Sequence, residues 1–262
     1  MNRTTESSIR QLCKKMRTSQ MSPIKLIINA NSRDHRPLRQ LLFSLLSVGY
    51  SQWRDTVIVI GGGGQDRPPT RQLVSEYAGV TMDHTEPGVG RGPSLVTMHV
   101  AEAAFDYHGF SALWQHRHHQ LVAAQGYIYT VDTTLVHPGF PRRFFELGKN
   151  FQRVESKMCS MHVHTVPLPN ANICAFGVGV LFNYGANFAI PNLTKREAIE
   201  IEKDCVGSRG LSLVHFARSV VTQRPRQSCG HHDVYATRQS PRLCWYYDTL
   251  QLLKFHDAHH QV

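Results

Sequence analysis

Four short apolar runs, each stopping on a turn-forming or acidic residue, set the limits on how this chain folds. Ile24–Asn29 leads into Ala30-Asn31-Ser32-Arg33-Asp34, and Thr56–Ile60 runs into Gly61–Gly64. Gly79–Met82 precedes Asp83, and the run from Gly126 stops on Asp132. Runs without polar alternation suit strands buried on both faces, which is the habit of a parallel sheet covered by helices. Between the first two, Leu38, Leu41, Leu42, Leu45 and Leu46 fall at helical spacing, with Pro37 in the first turn and Gly49 at the end. Further helices are expected at Thr70–Tyr77, Ser94–Tyr107 and Phe110–Ala124, with a glycine-rich loop at Glu86–Pro93. Strand alternating with helix predicts an α/β domain with a mostly parallel, Rossmann-like sheet, whose ligands bind beyond the carboxyl ends of the strands.

The chain has 262 residues, enough for one large domain to bury its own core. Residues 1–22 read as a loosely held leader with a short helix at Ser8–Arg17, 23–148 as the α/β half, and 149–262 as the closing half of the same domain. In that second half, Asn172–Gly185 reads as a glycine-interrupted strand and loop lining a cavity. Thr194-Lys195-Arg196-Glu197 is a capping box that starts a helix at Lys195 running to about Asp204. A helix near the C-terminus is expected to close the fold.

No apolar run approaches the roughly 20 residues that span a bilayer, and Met1–Gln20 is polar, so a soluble, cytoplasmic protein is expected. Six dispersed cysteines lack zinc-finger spacing and read as free thiols. The formal charge of +10 implies an anionic partner: nucleic acid, a nucleotide-linked substrate or a membrane surface. Basic residues are scattered along the chain, which favours a folded basic surface over a disordered arm.

The layout resembles a GT-A fold glycosyltransferase, the class that uses a nucleotide-sugar donor. The likeness lies in a first strand leading to Asn31-x-Arg33-Asp34, a second strand with a glycine turn, a Gly88-x-Gly90-Arg91 loop, and a strand ending in an acidic residue where that family carries Asp-x-Asp. It covers residues 24 to 140. It implies a GT-A-like sheet with a smaller acceptor-side region, a donor such as a UDP sugar, and a glycan or protein acceptor. Here Val131-Asp132-Thr133-Thr134 offers one carboxylate where the motif has two. One carboxylate with donor phosphates can help hold Mn²⁺ or Mg²⁺, and the alternative is a metal-independent enzyme whose basic side chains neutralise the phosphates. Gly61–Gly64 also departs from relatives that place acidic residues there to contact the base, leaving Asp66 as the nearest substitute.

Each candidate has two readings. Asp132 either opens an Asx turn or serves donor phosphates and a metal. Arg33 and Asp34 either pair at the surface or contact the base and ribose, beside Asn31. Arg91 sits on a glycine-rich loop where backbone and guanidinium can approach phosphate. His231 and His232 either form a polar turn after Gly230 or return to the donor as metal contacts, with Arg238 and Arg242 available to pyrophosphate. Trp245, Tyr246 and Tyr247 either pack in the core or stack on a sugar. For an inverting enzyme, Glu200 and Glu202 are the candidate bases, against the reading of solvated helix residues. His116 and His119 read as an exposed helix face or, less in keeping with their neighbours, a metal pair. Two rival functions stand beside glycosyl transfer: a non-catalytic module binding nucleic acid or another polyanion, and a nucleotidyltransferase.

Overall fold

The computed structural model describes residues 23–31, 35–61, 80–83, 86–87, 95–100, 107–153, 160–164, 170–190, 193–207, 212–215, 243–247 and 250–256. Their centre is strand β1 (Ile24–Asn31), flanked by β2 (Thr56–Gly61) on one side and β6 (Gly126–Val131) on the other. Alternate side chains of β1 enter different cores. Ile24, Leu26, Ile28 and Ala30 join one buried cluster, and Ile27 joins the other. With both faces covered, every position from Ile24 to Ala30 is buried, including the polar Lys25 and Asn29 on the Ile27 face.

Outward from β2 lie β5 (Val96–His99), β3 (Val80–Asp83) and β4 (Glu86–Pro87). Outward from β6 lie β9 (Asn170–Gly177), β8 (Ser160–His164) and β10 (Ser212–His215), completing a nine-stranded sheet among the described residues. The five strands β3-β5-β2-β1-β6 are parallel, while β9 runs antiparallel to β6 and to β8, and β4 antiparallel to β3. The protein is an α/β, Rossmann-like fold with a mostly parallel sheet flanked by helices.

One face is covered by α1 (Arg36–Ser47) and α3 (Phe140–Arg153), the other by α2 (His108–Gln115), α4 (Val178–Tyr184) and α5 (Lys195–Gly207). Helix α1 ends as its leucines and Gly49 predict. Gly49 takes φ +71°, its N–H donates to the Leu46 carbonyl, and the Tyr50 N–H donates to Leu45, so the last carbonyls are satisfied by a Schellman motif. Tyr50 then packs on Phe140 and Phe144 at centroid distances of 5.8 and 5.6 Å, joining α1 to α3. The capping box at α5 forms reciprocally: the Thr194 N–H donates to Glu197 Oε2 at 2.9 Å, and the Glu197 N–H to Thr194 Oγ1 at 3.3 Å. Hydrogen bonds from Thr194 hold the Glu197 carboxyl below its usual range.

Three expectations are corrected. The helix expected over Ser94–Tyr107 contains β5 instead, because Leu95–Val100 is buried throughout and Val96 and Thr97 are β-branched residues fitted between two strands. The helix expected over Phe110–Ala124 starts at His108 and stops at Gln115. The Arg117 guanidinium lies 3.6 Å from the Trp114 ring centroid and donates to the Trp114 carbonyl at 2.7 Å, occupying an acceptor the next turn would need. His116 and His119 therefore belong to a turn, where His119 Nδ1 accepts the Leu121 N–H at 3.3 Å. Finally, the chain closes with strands β11 (Leu243–Tyr247) and β12 (Leu252–His256), which form a separate antiparallel sheet with β7 (Thr134–Val136). Burial of Leu250, Leu252 and Lys254 at every second residue reveals the strand period that a helix reading overlooked.

The strand expected within Asn172–Gly185 is β9, whereas Val178–Tyr184, expected as a loop, is a helix whose Leu181 and Phe182 belong to the core. Cys174, in β9, is buried. Among the described residues no helix is long and apolar enough to cross a membrane. The expected helices at Ser8–Arg17 and Thr70–Tyr77 lie outside the described residues.

Candidate functional site at the β1–β6 strand ends

The order of the sheet marks one edge position as special. From β1 the chain builds β2, then β3 and β4 at the far edge, then β5 between β2 and β3, and only then crosses to β6 on the opposite side of β1. Connections leaving two adjacent parallel strands in opposite directions open a crevice beyond their carboxyl ends, and this is where sheets of this kind bind ligands. Among the described residues, Asn31 and Asp132 stand at these two strand ends.

Register places them together. Asn29 is opposite Val131, and the Asp132 N–H donates to the Asn29 carbonyl at 2.9 Å, extending the ladder by one residue. The Asn31 N–H in turn donates to Asp132 Oδ2 at 3.0 Å. The carboxylate thus reaches across to the neighbouring strand, a contact between residues 101 positions apart. Asp132 is half-buried and Asn31 exposed, so the pair lies at the solvent margin of the sheet. Asp132 and Thr133 form the tight link from β6 to β7, where Thr130 Oγ1 donates to Thr134 Oγ1 at 3.0 Å. That link, pinned on one side by β1 and on the other by pairing of β7 with β12, leaves little freedom for the Asp132 backbone.

A second layer, not singled out from the sequence, fixes the strand ends from behind. Asn29 is buried, and its Oδ1 accepts the N–H of Gly109 in the first turn of α2 at 2.8 Å. The preceding residue, His108, sets Nε2 3.1 Å from the Ala30 carbonyl and 3.4 Å from that of Val59. Carbonyls only accept, so Nε2 carries the hydrogen and the imidazole bridges the ends of β1 and β2. A β-carbon at Gly61 would lie 2.7 Å from that ring, so glycine here makes room for a histidine. The sequence signal for this clamp was a His-Gly pair ahead of a helix, a motif too short to stand out before the fold assembles it.

The remaining predicted residues distribute as follows. Glu200 is exposed on α5, where its Oε1 accepts from Lys203 Nζ at 2.8 Å, and this hydrogen bond and the lysine charge hold its carboxyl below the usual range. Glu202 lies on the same helix, and its side chain is outside the described residues. Arg33, Asp34, Asp66, Arg91, His231, His232, Arg238 and Arg242 also lie outside them. Trp245, Tyr246 and Tyr247 form β11.

For a metal, the described residues bring no group of three or more His, Cys, Asp or Glu side chains together. Among the described residues, Asp132 is the carboxylate at these strand ends, and one carboxylate fits a cation carried largely by substrate phosphates and water, as Mg²⁺ commonly is.

No family model matches the chain, and no curated protein matches it by sequence. Among solved structures, a mannosyltransferase from Pyrobaculum calidifontis in complex with GDP-Man and Mn²⁺ is similar at 13% identity, with a TM-score of 0.39 over 75% of this chain and 59% of its own. The chain therefore spans less than two thirds of that protein's length. The functional reading rests on the β1–β6 edge itself.

Proposed function

We propose that the protein is a nucleotide-sugar glycosyltransferase of GT-A type, transferring a sugar from a nucleoside diphosphate to a carbohydrate or protein acceptor. The observation that supports this most is the Asp132 carboxylate, tethered to the Asn31 N–H at the topological switch point of a parallel sheet. A carboxylate there can accept ribose hydroxyls or take part in holding a phosphate-bound cation. A divalent cation, when bound, neutralises charge that develops on the departing diphosphate.

The chain's own contribution is positioning. Asn31 fixes one carboxylate oxygen, the β6–β7 link fixes the Asp132 backbone, and the Asn29–Gly109 and His108 contacts fix the strand ends beneath it. A group held this way costs little further ordering when the donor binds. Arg33, Asp34, Asp66 and Arg91 follow the strand ends in sequence and are proposed to complete the donor site, with Arg238 and Arg242 for pyrophosphate. His231 and His232 are proposed as further metal contacts. Glu200 and Glu202 are proposed as bases for an inverting reaction; for Glu200 this requires release from Lys203.

The test is thermal unfolding of the full chain with UDP, GDP, CMP and their sugars, each with and without Mn²⁺. A donor that stabilises the protein, followed by sugar transfer from that donor, supports the reading. Stabilisation by no nucleotide, or nucleotidyl rather than glycosyl products from labelled donor, refutes it.

A further inference from the structure

The two helical layers of the fold present opposite kinds of surface. On α1 the exposed residues Arg36, Arg39, Phe43 and Leu46 recur at helical spacing and form one outward stripe. On α3 the exposed Arg142, Phe145 and Lys149 form a second. Both helices cover the same sheet face through one buried cluster and meet at Tyr50, so the two stripes lie on the same side of the molecule. Phe43 is 66% exposed, Phe145 51% and Leu46 48%. The other large exposed apolar residue among those described, Ile190, follows Phe188 of the opposite cluster. Among the described residues of these two helices the one acid is Glu146, bridged by both Arg142 and Arg143 at 2.9 Å, so positive charge prevails among them.

On the opposite layer, the described exposed side chains of α5 are Arg196, Glu197, Glu200, Lys203 and Asp204, mixed in sign and with no large apolar side chain among them. That is how a helix facing only water is decorated. Aromatic and aliphatic side chains interleaved with arginine and lysine on a broad helical layer are instead what an anionic lipid surface selects: the cations meet phosphate headgroups while the rings and Leu46 enter the acyl boundary. A second copy of the chain is a poorer occupant, because a two-fold contact brings two copies of the same net-positive patch together. A nucleic acid offers phosphates but no apolar phase for Leu46.

We infer that the α1/α3 layer is a docking surface for an anionic phospholipid bilayer, through Phe43, Leu46 and Phe145 flanked by Arg36, Arg39, Arg142 and Lys149. The protein lies on such a membrane with this layer facing the headgroups. This inference is independent of the β1–β6 crevice, whose residues contribute nothing to it.

Flotation of the full chain with phosphatidylcholine vesicles, with and without about 30% phosphatidylserine, tests it. The wild type is expected to float with the anionic vesicles alone and to be released by high salt. Phe43→Ser with Phe145→Ser is expected to lower the bound fraction about tenfold, and Arg39→Glu with Lys149→Glu to do the same. Circular dichroism establishes that each variant is folded, and because the pairs change different chemistry at exposed positions, either alone decides the question. Failure of the wild type to float, wild-type flotation by a folded variant, a solution dimer dissolved by the phenylalanine substitutions, or capture of an RNA oligonucleotide lost with the same substitutions overturns it.

Discussion

The imidazole of His108 occupies the space that a β-carbon on Gly61 would need, 2.7 Å from the ring atoms. Because that ring is also hydrogen-bonded to the carbonyls of Ala30 and Val59, it cannot move aside without breaking the bridge between β1 and β2. Gly61→Ala is expected to destabilise the protein by about 1–3 kcal/mol, measured from the urea midpoint. Adding His108→Ala relieves the clash, so the double variant loses less than the sum of the single losses. Strict additivity would show that the contact carries no strain.

Asn29 and Gly109 make the second part of that clamp. Asn29→Leu keeps a similar volume but leaves the N–H of Gly109 without its 2.8 Å acceptor in a buried place. The expected cost is about 1–3 kcal/mol in denaturant titration. A variant as stable as wild type would show that water reaches the helix terminus.

Asp132→Asn keeps an oxygen for the Asn31 N–H and removes the negative charge, whereas Asp132→Ala removes both. The asparagine variant is expected to unfold within about 1 kcal/mol of wild type yet to lose stabilisation by nucleoside diphosphates and sugar transfer. Undiminished nucleotide stabilisation in a folded Asp132→Asn protein would remove the carboxylate from the binding site.

Burial raises the hydroxyl pKa of Tyr50 above its ordinary value of 10.0, against a smaller opposing effect of its hydrogen bond to Thr56. The folded protein therefore holds this proton more tightly than the unfolded chain. The stability it contributes is complete below pH 10.0 and declines as the pH rises above it, toward the raised folded value. Tyr50→Phe leaves Thr56 Oγ1 bonded to the Gln52 carbonyl and is expected to flatten that alkaline decline, read from urea midpoints across the range. An unchanged slope would assign the decline to other groups, of which Tyr127, raised by the same burial, is the next to test.

Local periodicity and punctuation made much of the central sheet legible. Ile24–Asn29, Thr56–Ile60, the α1 leucines and the Thr194–Glu197 box each announce themselves within a dozen residues, and each forms where expected. Val96–His99 did not, because a four-residue strand followed by alanines has the same local composition as a helix start, and only pairing with β2 and β3 decides between them. The end of α2 was equally hidden: no glycine or proline marks it, and the Arg117 guanidinium caps the Trp114 carbonyl there. For the site, Asn31 and Asp132 were legible as strand-end polar residues, while Asn29 and His108 gain their positioning roles only from partners about 80 residues away.

Burial pattern and turn chemistry are properties of neighbouring residues, so the alternation of buried strands with helices, and the polar residues at their ends, can be read along the chain. Tertiary structure alone decided which ends meet. Placing β6 beside β1, in the register that sets Asn29 against Val131, brings the Asp132 carboxylate to the Asn31 N–H, and strand order and register are fixed by packing on both sheet faces at once.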